Sequence, residues 1–73
     1  MITGKVVSLQ YDHFGDFTGF VVEDECDHHH RVRSTEGRVL RLADQAWRER
    51  LRVRCHLVDD GVLEHLAVSG GTP

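Results

Sequence analysis

Four groups of side chains in this chain have types and spacings suited to chemistry. The first is aromatic. Tyr11, Phe14 and Phe17 stand around the turn DHFGDFTGF, and Phe20 extends a three-residue rhythm about Gly15 and Gly19. Flat rings displayed on a turn offer stacking faces to unpaired bases, at roughly 1–3 kcal/mol per stack. Large apolar rings are also the first residues recruited to a small core, so inward-facing rings are the competing expectation. The second group is guanidinium. Arg50, Arg52 and Arg54 alternate along one strand face and Arg31 and Arg33 along another, as ladders of phosphate contacts would. Acids from the first thirty residues, or Glu64, set across from them would turn the same ladders into ordinary surface ion pairs.

The third group is the run Cys26, Asp27, His28, His29, His30. Thiolate and imidazole are ligands for zinc, copper and nickel. Adjacent strand residues point to opposite faces, so three consecutive histidines do not converge. A metal would need a pair such as His28 and His30 joined by Cys26 or another histidine; the expectation is a polar loop, with no metal and no cofactor. The fourth group is Asp12, His13 and Asp16, a carboxylate–imidazole set by type. Aspartates flanking a glycine are more often turn formers. No hydroxyl or thiol stands in a nucleophile–base–orienter set, so the chain is not expected to be an enzyme.

These groups must be positioned by a single small domain. At 73 residues and 8.3 kDa a chain buries about 60% of its unfolded surface, a thin core that a closed barrel or a dimer would help. Net charge is −3, but it is segregated. Residues 1–30 carry one lysine against six acids, and residues 31–54 carry all eight arginines against three acids. Such segregation suits pairing between halves, within one copy or between two, as well as a localised anion site. The beginning of the chain, MITGKVVSLQ, lacks the pattern of a signal peptide, and no segment has the length of a membrane span. Cys26 and Cys55 lie far apart with no CxxC spacing, which suits reduced thiols in a cytoplasmic protein rather than a disulfide.

The elements follow from local pattern. Residues 3–11, 17–24 and 30–34 read as three strands, with turns at 12–16 and through ECDHHH. The period then changes: Val39, Leu40, Leu42, Ala43, Ala46 and Trp47 fall within about 160° of helical arc. Ser34 or Thr35 is the expected N-cap of that helix, and Trp47 the expected core ring at its end. Residues 50–57 alternate strictly, with Leu51, Val53, Cys55 and Leu57 on one face. Asp59-Asp60-Gly61 signals a hairpin into a last strand at 62–69. The order β-β-β-α-β-β gives a mainly β fold with one helix: a five-stranded OB-like Greek-key barrel over residues 1–69, with 70–73 as a disordered tail. A split sheet with the helix on one face is the structural alternative.

At the first hairpin the chain resembles cold-shock-type OB domains, through GKV at 4–6 and GFVV at 19–22. That family's strand-one tryptophan is absent, Leu9 and Tyr11 being nearest, and the family lacks a full helix between strands three and four. A closer likeness is to a set of small bacterial proteins with a DHFGDFxGF turn and a later AWRERxRV segment, here residues 12–20 and 46–53. This resemblance implies the barrel and carries no activity. Two functions are expected to compete. One is a module binding single-stranded nucleic acid through Tyr11, Phe14, Phe17, Arg31 and Arg33, with Arg52 and Arg54 as a secondary set. The other is a protein-interaction or homodimerisation module.

Overall fold

A computed structural model describes residues 1–69; the expected tail at 70–73 lies outside the described residues. Five strands and one helix run in the order β1 (Ile2–Tyr11), β2 (Phe17–Asp24), β3 (His29–Arg33), α1 (Gly37–Glu49), β4 (Arg52–Val58) and β5 (Val62–Ser69). The strands close into a barrel in the order β1-β2-β3-β5-β4. All neighbours are antiparallel except β3 and β5, which run parallel and meet at one pair, Arg33 with Val62. Closure excludes the split sheet.

The ten-residue β1 makes closure possible by serving two neighbours: Lys5 pairs with Glu23 of β2 on one side and with Arg52 of β4 on the other. A bulge between Val6 and Ser8 bends β1 around the barrel. At Gly19, a Cβ would stand 2.1 Å from the carbonyl oxygen of Val32, so a side chain there would force β2 and β3 apart. Inward-facing positions of β1 to β4 fill the interior with Val6, Phe17, Phe20, Val22, Val32, Val53 and Cys55, and half-buried Leu63, Leu66 and Val68 of β5 pack against them. Full burial of side chains such as Phe20 and Val22 stabilises by about 1.5–3 kcal/mol each.

Helix α1 closes one end of the barrel through Val39, Ala43 and Ala46, which are buried. Two alanines in that stripe let the helix sit close. The remaining apolar residues lie at the flanks of the arc: Leu40 is half-buried, Leu42 is exposed and Trp47 is 44% exposed. The expected core role of Trp47 is therefore corrected. A barrel this narrow is covered by a stripe of small residues, and the 160° arc is wider than its mouth.

The expected N-cap is also corrected. Glu36 holds that position with extended backbone and no side-chain cap bond, while Ser34 Oγ accepts from the Glu36 N–H at 3.3 Å. At the other end Arg50 takes the left-handed conformation (φ 56°) and donates its N–H to the Ala46 carbonyl. That cap takes Arg50 off β4, so the expected three-step ladder shortens to Arg52 and Arg54. Both cysteines are free thiols, Cys26 exposed and Cys55 in the core, where burial raises the Cys55 pKa to about 11.

Candidate nucleic-acid interface

The turn after β1 is built by Asp12. Its Oδ1 accepts from the N–H groups of Phe14 (2.9 Å) and Asp16 (3.0 Å), and its carbonyl accepts from Gly15 (3.0 Å). Gly15 has φ +88°, a conformation that side chains oppose. This backbone leaves Phe14 as the tip of the turn, 78% exposed, with the His13 ring 4.0 Å away centre to centre. Tyr11 sits at the barrel rim, 51% exposed and edge-on to Phe17 at 6.1 Å. Phe17 is 8% exposed and belongs to the core, so it is removed from the stacking set. It is the first residue of β2, and its pleat phase points it inward with Tyr11 lying over it.

Arg31 and Arg33 are exposed on either side of the buried Val32. Register sets Arg31 beside Val21 and Ser8, and Arg33 beside Gly19 and Gln10. These two rows across β3, β2 and β1 are therefore uncharged apart from their arginines; the adjoining row holds His29, Glu23 and Lys5. Among the described residues neither guanidinium has a carboxylate within salt-bridge distance. Arg33 also borders a groove of about 400 Å³ whose lining includes Thr18, Ser34 and Thr35, three hydroxyls suited to phosphate oxygens. Glu36 in the same lining, and Asp59 and Asp60 in the β4–β5 turn, oppose this field. That turn touches β3 through the Arg33 N–H, which donates to the Gly61 carbonyl at 2.8 Å.

Arg52 and Arg54 lie elsewhere. They are on β4, between β1 and β5, with Arg54 beside Thr3 and Ala67 and Arg52 beside Lys5 and Ser69. Arg52 is engaged by Glu25 at 2.6 Å. The two ladders do not form one patch, and half of the β4 ladder is paired within the chain.

The histidine run gathers around a carboxylate outside the expected set. Asp24 Oδ2 lies 2.7 Å from His30 Nε2 and 3.8 Å from His28 Nδ1, while His29 turns to Glu23 at 3.2 Å. Asp24 Oδ1 accepts from the N–H groups of Cys26 (2.8 Å) and His28 (2.9 Å). The His30 hydrogen bond first, then the backbone bonds, hold the Asp24 carboxyl down at about 2. Cys26 contributes its backbone to this cluster and its side chain is exposed. Among the described residues no group of three or more His, Cys, Asp or Glu side chains is arranged to hold a metal ion.

No family model matches the chain, and no curated protein or solved structure matches it significantly. No helix among the described residues is long and apolar enough to cross a membrane. Sequence reasoning missed one exposed aromatic, Trp47; the signal was its place at the edge of the apolar arc, next to Arg48 and Arg50.

Proposed function

We propose that the chain is a binding module for single-stranded nucleic acid, held across the outer side of β1, β2 and β3. The observation that carries this reading is that, among the described residues, Arg31 and Arg33 have no carboxylate partner, in two otherwise uncharged rows that lead to exposed Phe14 and Tyr11. Cations that track a backbone, next to rings that accept stacked bases, are the two components of sequence-tolerant single-strand binding. Net charge of −3 and the acids of the β4–β5 turn limit the strength of the site, so binding is modest and confined to this face. Two neutralised phosphates correspond to a slope of about −1.4 in log K against log salt.

An amide-shift titration with short oligonucleotides at two salt concentrations tests this. Shifts centred on Phe14, Arg31 and Arg33 that weaken with salt are expected. Unchanged spectra at millimolar oligonucleotide would remove the proposal.

A second reading is self-association. Among the described residues β3 meets β5 at the single pair Arg33–Val62, which leaves the rest of that seam without ladder pairing. Such an edge is a template for a second copy. Sedimentation across protein concentration and salt separates the two readings, because a monomer throughout removes this one.

A further inference from the structure

Trp47 is half-exposed on a helix whose barrel contact is already made by Val39, Ala43 and Ala46. Its indole is not needed to close the core. It lines a groove of about 260 Å³ together with Lys5, Val6, Val7, Glu23 and Arg50. Val7 is the residue bulged out of β1 and is 36% exposed, which gives the groove an apolar wall. Lys5 and Arg50 supply two cations, and among the described residues neither is in a salt bridge. Arg50, the C-cap of the helix, lines the same groove as the indole. The groove's carboxylate, Glu23, already has His29 at 3.2 Å.

The register places this groove at the foot of the strip described above. Lys5 pairs with Glu23; further along β1, Ser8, Val21 and Arg31 form one row and Gln10, Gly19 and Arg33 the next, before the rim at Tyr11. Tyr11 lies six residue steps along β1 from Lys5, about 20 Å at roughly 3.3 Å per residue. That span suits about four nucleotides, the lower end of what one OB-type barrel covers.

We infer that Trp47 is a second stacking residue, taking an unpaired base into the groove while Lys5 and Arg50 meet the flanking phosphates. The inference rests on the single-strand reading above and adds a far end to its track. An aromatic face flanked by free cations matches a base joined to phosphate better than it matches an aliphatic side chain, which would leave both cations unused.

Trp47 is the chain's sole tryptophan, so its fluorescence reports on this groove alone. The test titrates oligothymidylates of three and six residues, with an abasic six-residue strand as control, following fluorescence and amide shifts together. The six-residue strand is expected to quench Trp47 in parallel with shifts at Arg31 and Arg33. The trinucleotide should bind more weakly, and the abasic strand should leave the indole unquenched. Trp47→Ala should weaken the six-residue strand by about 5- to 150-fold, as loss of one stack does, and Trp47→Phe should restore most of that. Shifts at Arg31 and Arg33 with no change in Trp47 fluorescence would overturn the inference and leave the single-strand reading standing. Quenching by the abasic strand equal to that by the full strand would overturn stacking as the mode. No response at either place would overturn both. The wild-type titration decides these outcomes even if Trp47→Ala fails to fold.

Discussion

The two turns at opposite ends of β2 are built to the same plan and display different chemistry. In the first, Asp12 Oδ1 accepts from the residues two and four positions on, Phe14 and Asp16, and Asp12 N–H donates to the Asp16 carbonyl at 2.9 Å. In the second, Asp24 Oδ1 accepts from Cys26 and His28, again two and four positions on, and Asp24 N–H donates to the His28 carbonyl at 2.9 Å. The fourth residue of each has positive φ, Gly15 at 88° and Asp27 at 64°. One aspartate in the first position thus sets the backbone, and the residues at the tip are left free for display. The first turn presents Phe14 and His13. The second uses the remaining carboxyl oxygen of Asp24 to hold His30 and leaves Cys26 exposed. Backbone and display separate here: the aspartate sets the turn, and the tip carries the exposed side chains.

The largest effect that tests this separation lies within the first turn. Phe14→Ala should change stability by under about 0.5 kcal/mol, as exposed positions do. Phe17→Ala, three residues later, should cost about 3–5 kcal/mol, since it empties a core site. In a domain whose total stability is on the order of 5 kcal/mol, the second variant loses cooperative unfolding. Urea or thermal melts of the two proteins check this. Equal losses would mean that the tip belongs to the core after all.

The same contrast explains what could be read from residues alone. Strand order was legible because its causes are local: Leu51, Val53, Cys55 and Leu57 alternate, Asp59-Asp60-Gly61 turns the chain, and the helical period appears between them. The separation of the Arg31–Arg33 and Arg52–Arg54 ladders followed from that order. Directions at element ends were not legible. Whether Phe14 or Phe17 faces inward depends on how many residues the Asp12 turn absorbs before the pleat resumes. Whether Trp47 is covered depends on how wide a barrel mouth α1 closes, and apolar periodicity reports only the side chain's character. The Asp24–His30 pairing depends on the β2–β3 register, which no local pattern specifies.

The second effect separates the two aspartates by pH. Asp12→Ala removes two backbone acceptor bonds and should cost about 1 kcal/mol, in the range of a lost side-chain cap. Asp24→Ala should lower the melting temperature further, because the bond to His30 goes as well. Asp24→Asn sharpens the comparison: an amide oxygen still accepts the turn N–H groups but carries no charge. The folded pKa of Asp24 lies near 2, below the ordinary 3.8, so its ionised form stabilises the fold. That contribution is fully present above about pH 4 and disappears as pH falls from there toward 2. Wild type should therefore melt higher than Asp24→Asn at pH 6, and the gap should close by pH 2. A gap that is constant across this range would mean that the carboxylate's charge does no work in the turn.

The smallest effect comes from exchanging the residues at positive φ. Asp27 at φ 64° tolerates the left-handed region better than most side chains but still resists it. Asp27→Gly relieves that resistance and makes the unfolded chain more flexible, two terms of opposite sign. The net is a gain of about 0.5 kcal/mol or less. Gly15→Asp should lose a similar or slightly larger amount, because φ 88° lies further from the left-handed minimum near 57°. An added Cβ at Gly15 meets nothing within 4 Å, so the loss is conformational and involves no clash. It should therefore leave the display of Phe14 unchanged, and oligonucleotide affinity should fall only by the screened repulsion of one exposed carboxylate. Chemical denaturation resolves the stability changes, and the amide-shift titration checks the affinity. A large loss of binding in Gly15→Asp with stability nearly intact would mean that the added carboxylate repels the ligand. That outcome would place the phosphate path directly over the tip of the first turn.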